Sequence, residues 1–152
     1  METLFTNVRL IRDPSVGVVE GCLHVMNGMI KEILPPDEAL QSSTPGRVEI
    51  IDCEGDYLLP GLIDIHCHGA MGRDAMEASV EAFESVLRYH ATRGTTTAVL
   101  STVAASRAEM LAVLECAQEY SGGYTGESAA RLAGIHLEGP YFSSLRREIG
   151  RA

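Results

Sequence analysis

Apolar residues in the first third of the chain recur at short, strand-like intervals. Thr3 to Ile11 reads as a strand broken by Asp13-Pro14. Gly21 to Met26 and Met29 to Ile33 flank Asn27-Gly28, a two-residue hairpin signal because both turn positions need positive φ. Leu34-Pro35-Pro36 stops the second arm, Gln41 to Gly46 is a polar loop, Val48 to Cys53 is a further strand, and Glu54-Gly55-Asp56 turns the chain. Residues 1–57 therefore predict part of a small β-sandwich.

From Leu58 the period changes to alternating strands and helices, the pattern of parallel βα units. Leu58 to His68 is the expected first strand. Ser79 caps a helix to about Arg93, with Val80, Phe83, Leu87 and Ala91 on one stripe and Gly94 as its stop. Gly94 to Thr102, rich in β-branched residues, is the second strand. Ser106 and Glu109 form a capping box opening a helix to about Tyr120, with Met110, Val113, Leu114 and Ala117 expected inward. A glycine-rich loop, Ser121 to Ser128, leads to a third strand, Arg131 to Glu138, closed by Gly139-Pro140. Residues 58–152 thus read as the first three βα units of an α/β barrel, whereas a complete (β/α)8 TIM-type barrel takes about 250 residues. An open three-stranded parallel sheet leaves edges unpaired and faces uncovered. The expectation is an N-terminal portion of a larger barrel protein.

Composition narrows the function. The chain has 152 residues, 45% of them hydrophobic, enough for a packed core. Twelve basic against 21 acidic residues give a net charge of −9, which repels a phosphate backbone and argues against nucleic acid. An anionic substrate would need a local group of cations. No apolar run approaches the roughly 20 residues of a membrane span, and the first residues lack a secretory pattern. A cytoplasmic location with no membrane partner is expected. Cys22, Cys53, Cys67 and Cys116 are far apart and read as free thiols.

The candidate chemistry concentrates at His66-Cys67-His68. Strand alternation puts His66 and His68 on one face, their Cα atoms roughly 6.6 Å apart, and turns Cys67 away. Two imidazoles at a strand end can converge on one divalent cation: zinc by ligand chemistry, with iron(II), manganese or cobalt able to use the same donors. In Gly134-Ile135-His136-Leu137-Glu138, alternation pairs His136 with Glu138 on the barrel mouth and sends Ile135 and Leu137 toward the helices. Glu138 is a third candidate ligand, and His136 a group that contacts substrate or supports a ligand. Asp64 is expected on the face of His66 and His68 but deeper, in a hydrogen-bonding role. Arg146 and Arg147 read as a solvated loop, and His24 and His90 as ordinary histidines. Walker, dinucleotide-binding and nucleophile-elbow motifs are absent from the sequence.

These residues resemble a known family. Leu59-Pro60-Gly61-Leu62-Ile63-Asp64 followed by His66-Cys67-His68-Gly69 is similar to the opening of the amidohydrolase superfamily. Gly134 to Ser143, with Gly94-Thr95-Thr96-Thr97 and Ser101-Thr102, resembles the N-acetylglucosamine-6-phosphate deacetylase family within it. The resemblance implies hydrolysis of the acetamide of an amino-sugar 6-phosphate, a small-molecule substrate, by water activated at a metal. It implies Glu138 as a metal ligand, His66 and His68 as the histidine pair that binds metal in some members, and a homodimer in the full-length protein. Two further histidine ligands, a general acid/base aspartate and the phosphate-binding cations come in that family from later barrel strands, beyond residue 152. Another amidohydrolase, a deaminase or cyclic-amide hydrolase, and a non-catalytic metal-binding or interaction module stay open as alternatives.

Overall fold

A computed structural model describes residues 2–13, 15–36, 48–126 and 128–139. The chain divides into two compact units, Met1–Pro60 and Gly61–Ala152.

The first unit is a five-stranded sheet. Strand β1 (Glu2–Ile11) pairs antiparallel with β2 (Val18–Met26), which turns into β3 (Met29–Leu34). The β2–β3 turn has Asn27 at φ 51° and Gly28 at φ 77°, the mirror-image turn that the dipeptide predicts. On the other edge of β1 lie two short parallel strands in succession, β4 (Glu49–Asp52) and then β5 (Tyr57–Leu58). A bulge in β1 between Phe5 and Val8 accommodates the change of partner. There the Gly55 N–H donates to the Asn7 carbonyl at 2.8 Å, and the Asn7 side chain donates to Asp52 Oδ1 at 2.8 Å. Leu4 and Cys22 form the buried centre, with Leu34 and Val48 packed against them.

This arrangement corrects one reading. Leu58 pairs with Leu10 of β1, so it belongs to this sheet and not to the first barrel strand. Pro60-Gly61 separates the two, since proline cannot donate to a ladder. The polar loop at residues 41–46, Pro14, Pro140 and both Arg146 and Arg147 lie outside the described residues.

The second unit is a parallel sheet in the order β10-β9-β6, made of β6 (Leu62–Cys67), β9 (Thr95–Ser101) and β10 (Arg131–His136). Between β6 and the first helix lies a feature the sequence reading missed: a small hairpin of β7 (Gly69–Ala70) and β8 (Arg73–Asp74), then a 3-10 turn at Ala75–Glu77. Met71 and Gly72 at its tip both have positive φ. A Cβ at Gly69 would collide with the Arg73 carbonyl, so the close approach of the two arms requires glycine there.

Helix α1 (Val80–Ala91) starts at Ser79, whose hydroxyl accepts from the Ala82 N–H at 3.2 Å. It stops before Gly94, at φ 87°. Helix α2 (Arg107–Gly123) opens with the expected capping box: the Glu109 N–H donates to Ser106 Oγ, and the Ser106 N–H to Glu109 Oε2. It extends three residues past the expected end, taking in Ser121–Gly123. Phe83, Val86, Leu87, Ala98, Leu100 and Val113 are fully buried between helices and sheet. Each of the larger side chains contributes about 1.5–3 kcal/mol by leaving water. Leu114 is 37% exposed, contrary to expectation, and the inward row runs Met110, Val113, Cys116, Ala117 and Tyr120. Spacings of three and four keep that row over the sheet, and Leu114 falls at its margin. Leu137 is also exposed instead of facing the helices, because β10 ends at His136 and alternation ends with it.

Candidate metal centre

The local path of β6 decides which side chains meet. Its register against β9 pairs Asp64 with Ala98 and Cys67 with Leu100. Three steps along β6 are therefore matched by two along β9, which is a bulge. The extra residue breaks the face alternation. Asp64 and Cys67 come to the same side, where His90 of α1 stands: Cys67 Sγ is 3.0 Å from His90 Nε2, and Asp64 Oδ2 is 3.9 Å from His90 Nδ1. Asp64 does not share the face of His66 and His68 as expected. Its Oδ1 reaches only the His66 backbone, accepting that N–H at 3.0 Å. His90, read as ordinary, is part of this grouping.

Past the bulge His66 and His68 stay together, as residues two apart do. Their Nε2 atoms are 3.2 Å apart and their rings 5.0 Å between centroids. His68 Nδ1 lies 3.2 Å from the Ser101 carbonyl oxygen. A carbonyl only accepts, so Nδ1 carries the proton and the neutral ring keeps its lone pair on Nε2. Fixing a ligand's tautomer through its other nitrogen is the usual support for a metal-binding histidine.

Glu138 arrives from the end of β10. Its backbone N–H donates to Thr102 Oγ1 at 3.1 Å, and the Thr102 N–H donates to the His136 carbonyl at 3.0 Å, which ties the chain beyond β10 to the end of β9. Glu138 Oε2 then stands 2.9 Å from His66 Nε2 and 3.2 Å from His68 Nε2. It is a buried oxygen that accepts no hydrogen bond among the described residues. The short separations and the missing hydrogen bond agree on one point: the nitrogens approach off the direction a hydrogen bond needs. Two imidazole nitrogens and a carboxylate oxygen stand about 3 Å from one another, with the two nitrogens at hydrogen-bond distance from each other and the carboxylate oxygen without a donor among the described residues. Donors around a zinc ion at about 2.1 Å and 90–110° are about 3.0–3.4 Å apart. The donor set therefore fits a divalent cation, which would also neutralise the carboxylate.

His136 borders this triangle. Its ring is 4.9 Å from that of His66, its Nδ1 is 3.1 Å from Ser101 Oγ, and one of its donor atoms lies within 4.8 Å of those of His66 and Glu138. Fully buried Ser101 holds both His68, through its carbonyl, and His136, through its hydroxyl. The sequence signals of that role are weak: a serine at the end of the middle strand, level with His136 in the register.

A parallel βα sheet with a histidine pair and a carboxylate at its strand ends has the arrangement of a barrel-type hydrolase, with a candidate metal centre at the strand ends. The chain belongs to the amidohydrolase family, whose sequence profile matches residues 57–141. It is 43% identical over 86 residues to an N-acetylglucosamine-6-phosphate deacetylase of Vibrio furnissii, covering 57% of this chain and 21% of the relative. The deacetylase of the same name from Bacillus subtilis (strain 168) is 37% identical over 103 residues, covering 67% and 26%. Among solved structures, the N-acetylglucosamine-6-phosphate deacetylase of Pasteurella multocida superposes with a TM-score of 0.81 at 25% identity, over 99% of this chain and 38% of that one. That from Thermotoga maritima gives 0.68 at 28% identity, over 93% and 33%. The fold is the N-terminal part of the TIM-type barrel of these enzymes. The chain spans about a fifth to a quarter of the curated relatives' length and about a third to two fifths of the solved chains. Among the described residues, no helix is long and apolar enough to cross a membrane.

Proposed function

We propose that His66, His68 and Glu138 hold a divalent cation in an amide hydrolase that converts N-acetylglucosamine 6-phosphate and water to glucosamine 6-phosphate and acetate. The observation that carries this reading is the triangle of His66 Nε2, His68 Nε2 and Glu138 Oε2, with sides of 2.9, 3.2 and 3.2 Å. The substrate is supported by the names of the relatives in Vibrio furnissii and Bacillus subtilis. Two imidazoles and one carboxylate are a donor set that suits zinc. A divalent cation bound there supplies Lewis acidity, polarising the acetamide carbonyl and acidifying a water.

The chain's own residues contribute orientation and charge. His68, its Nδ1–H held by the Ser101 carbonyl, presents a lone pair inward. Glu138 supplies the negative charge that a cation at this point requires, from a backbone anchored on Thr102. His136, held by the Ser101 hydroxyl beside the triangle, is placed to contact the substrate. In the reaction a carbon–oxygen bond forms from water, the carbon–nitrogen bond breaks, and the amine leaves with a proton.

One relative, from Escherichia coli O157:H7, is named N-acetylgalactosamine-6-phosphate deacetylase and is 30% identical over 108 residues, so the sugar epimer is part of the test. Acetate release from both N-acetyl sugar phosphates by the full-length protein is measured with metal supplied, alongside metal content by mass spectrometry. Release from the glucosamine compound with bound metal is expected. No release from either sugar by a metal-loaded protein would remove the substrate assignment, and a protein that takes up no metal would remove the site.

A further inference from the structure

Behind the strand that carries His66 and His68, the opposite side of β6 holds two polar side chains, Asp64 and Cys67, against the imidazole of His90. Cys67 Sγ lies 3.0 Å from His90 Nε2 and 3.7 Å from the Gly69 carbonyl. Asp64 Oδ2 lies 3.9 Å from His90 Nδ1, and Asp64 Oδ1 accepts the His66 backbone N–H at 3.0 Å. Cys67 is 8% exposed, and burial, with the Asp64 charge adding to it, pushes its thiol up from the ordinary range. The trio therefore grips the backbone on both sides of the ligand pair, at His66 and at Gly69. The bulge lies between Asp64 and Cys67, the two strand residues that face His90, and there the ladder to β9 loses its regular pairing. A one-residue slip there would move the ligands by about 3.3 Å along the strand and turn them to the other face.

We propose that Asp64, Cys67 and His90 act as positioning residues: a latch from helix α1 that fixes the β6 bulge and so sets the aim of His66 and His68. The inference rests on the metal reading above. His90 gives the latch its reach, because it sits on the helix that Phe83, Val86 and Leu87 seat against the sheet. The aim of two site residues is then coupled to the packing of helix α1. The same three residues offer thiol, imidazole and carboxylate donors within 4.8 Å, the ingredients of a cation site. The contacts favour the latch, since Cys67 and Asp64 face different nitrogens of the His90 ring and one ion can use only one of them.

The test uses cobalt(II) as the probe, with affinity read by chelator competition and ligand geometry by the visible absorption spectrum. His90→Ala is expected to weaken cobalt binding about tenfold, the lower end for residues that orient ligands, and to alter the spectrum. His90→Gln, whose amide reaches the Cys67 end, should recover part of the loss. Tyr120→Phe is the comparator: it removes a hydrogen bond to Glu84 on the same helix and should lower the melting temperature with affinity and spectrum unchanged. Parent-like affinity and spectrum in both His90→Ala and Cys67→Ser would overturn the proposal, and Cys67→Ser alone decides if His90→Ala does not fold. A second equivalent of cobalt with a sulfur-to-cobalt absorption band, lost in Cys67→Ser, would also overturn it and make the trio a cation site. A parent protein that binds no cobalt overturns this inference and the metal reading together, whereas parent binding with indifferent variants overturns this inference alone.

Discussion

In the N-terminal sheet, His24 is 1% exposed and has both ring nitrogens engaged, Nε2 with Glu2 at 2.7 Å and Nδ1 with Glu32 at 3.2 Å. In the parallel sheet, His68 engages Nδ1 with a backbone carbonyl and leaves Nε2 toward Glu138 and His66. The difference follows from position along a strand. His24 sits within β2, with Glu32 directly opposite on β3 and Glu2 diagonal to it across β1. Neighbours on both sides supply partners, so no nitrogen remains for a ligand. His68 lies just beyond β6, where the ladder has ended and the next groups are those the barrel's strand ends bring together. His24, with strand partners on both sides, is clamped, whereas His68, past its strand's end, has one ring nitrogen on a backbone carbonyl and the other toward Glu138 and His66.

The largest effect that would test this contrast is expected at Glu138. Glu138→Gln replaces the anionic donor with a neutral amide and should weaken metal binding by at least about 100-fold, more than loss of a supporting residue does, with little change in melting temperature. Titration with a chelator measures it, and unchanged metal content would break the comparison on the Glu138 side. His24→Ala should do the reverse. Removing a buried group with two charged partners is expected to cost about 2 kcal/mol of stability, read by denaturant unfolding, while metal affinity stays at the parent value. An effect on metal binding would mean that His24 is not a purely structural clamp.

The smallest effect concerns pH. Burial, then the hydrogen bond to Glu84, pushes the Tyr120 phenol up from its ordinary 10.0. The folded chain thus holds a proton that the unfolded chain releases, so this contribution is fully present below pH 10 and is lost as pH rises toward the folded value. Melting temperatures measured across the alkaline range should fall less steeply in Tyr120→Phe than in the parent. An identical slope would show that the Tyr120–Glu84 contact carries no proton linkage.

How much was legible varies with how local each feature is. The Asn27-Gly28 turn, the Ser79 cap, the Ser106–Glu109 box and the Phe83–Leu87 stripe depend on residues a few positions apart, and the sequence displays them directly. The spacing of His66 and His68 is of the same kind. Glu138 required more, a matched position at the end of a strand distant in sequence, together with the family resemblance. The hairpin at Gly69–Asp74 went unread because its arms have only two residues each, too short for any periodicity.

Local chemistry written in the chain determined where helices start, where turns form and which two imidazoles share a face. Tertiary structure alone decided that Leu58 joins β1, that Asp64 turns to His90 with Cys67, that Leu114 lies outside the core, and that Ser101 supports two histidines at once. The physical reason is register. A strand's own sequence sets its alternation, but the one-residue offset between β6 and β9 is set by the neighbouring strand and by the side chains packed behind it, and a single step of register exchanges one face for the other.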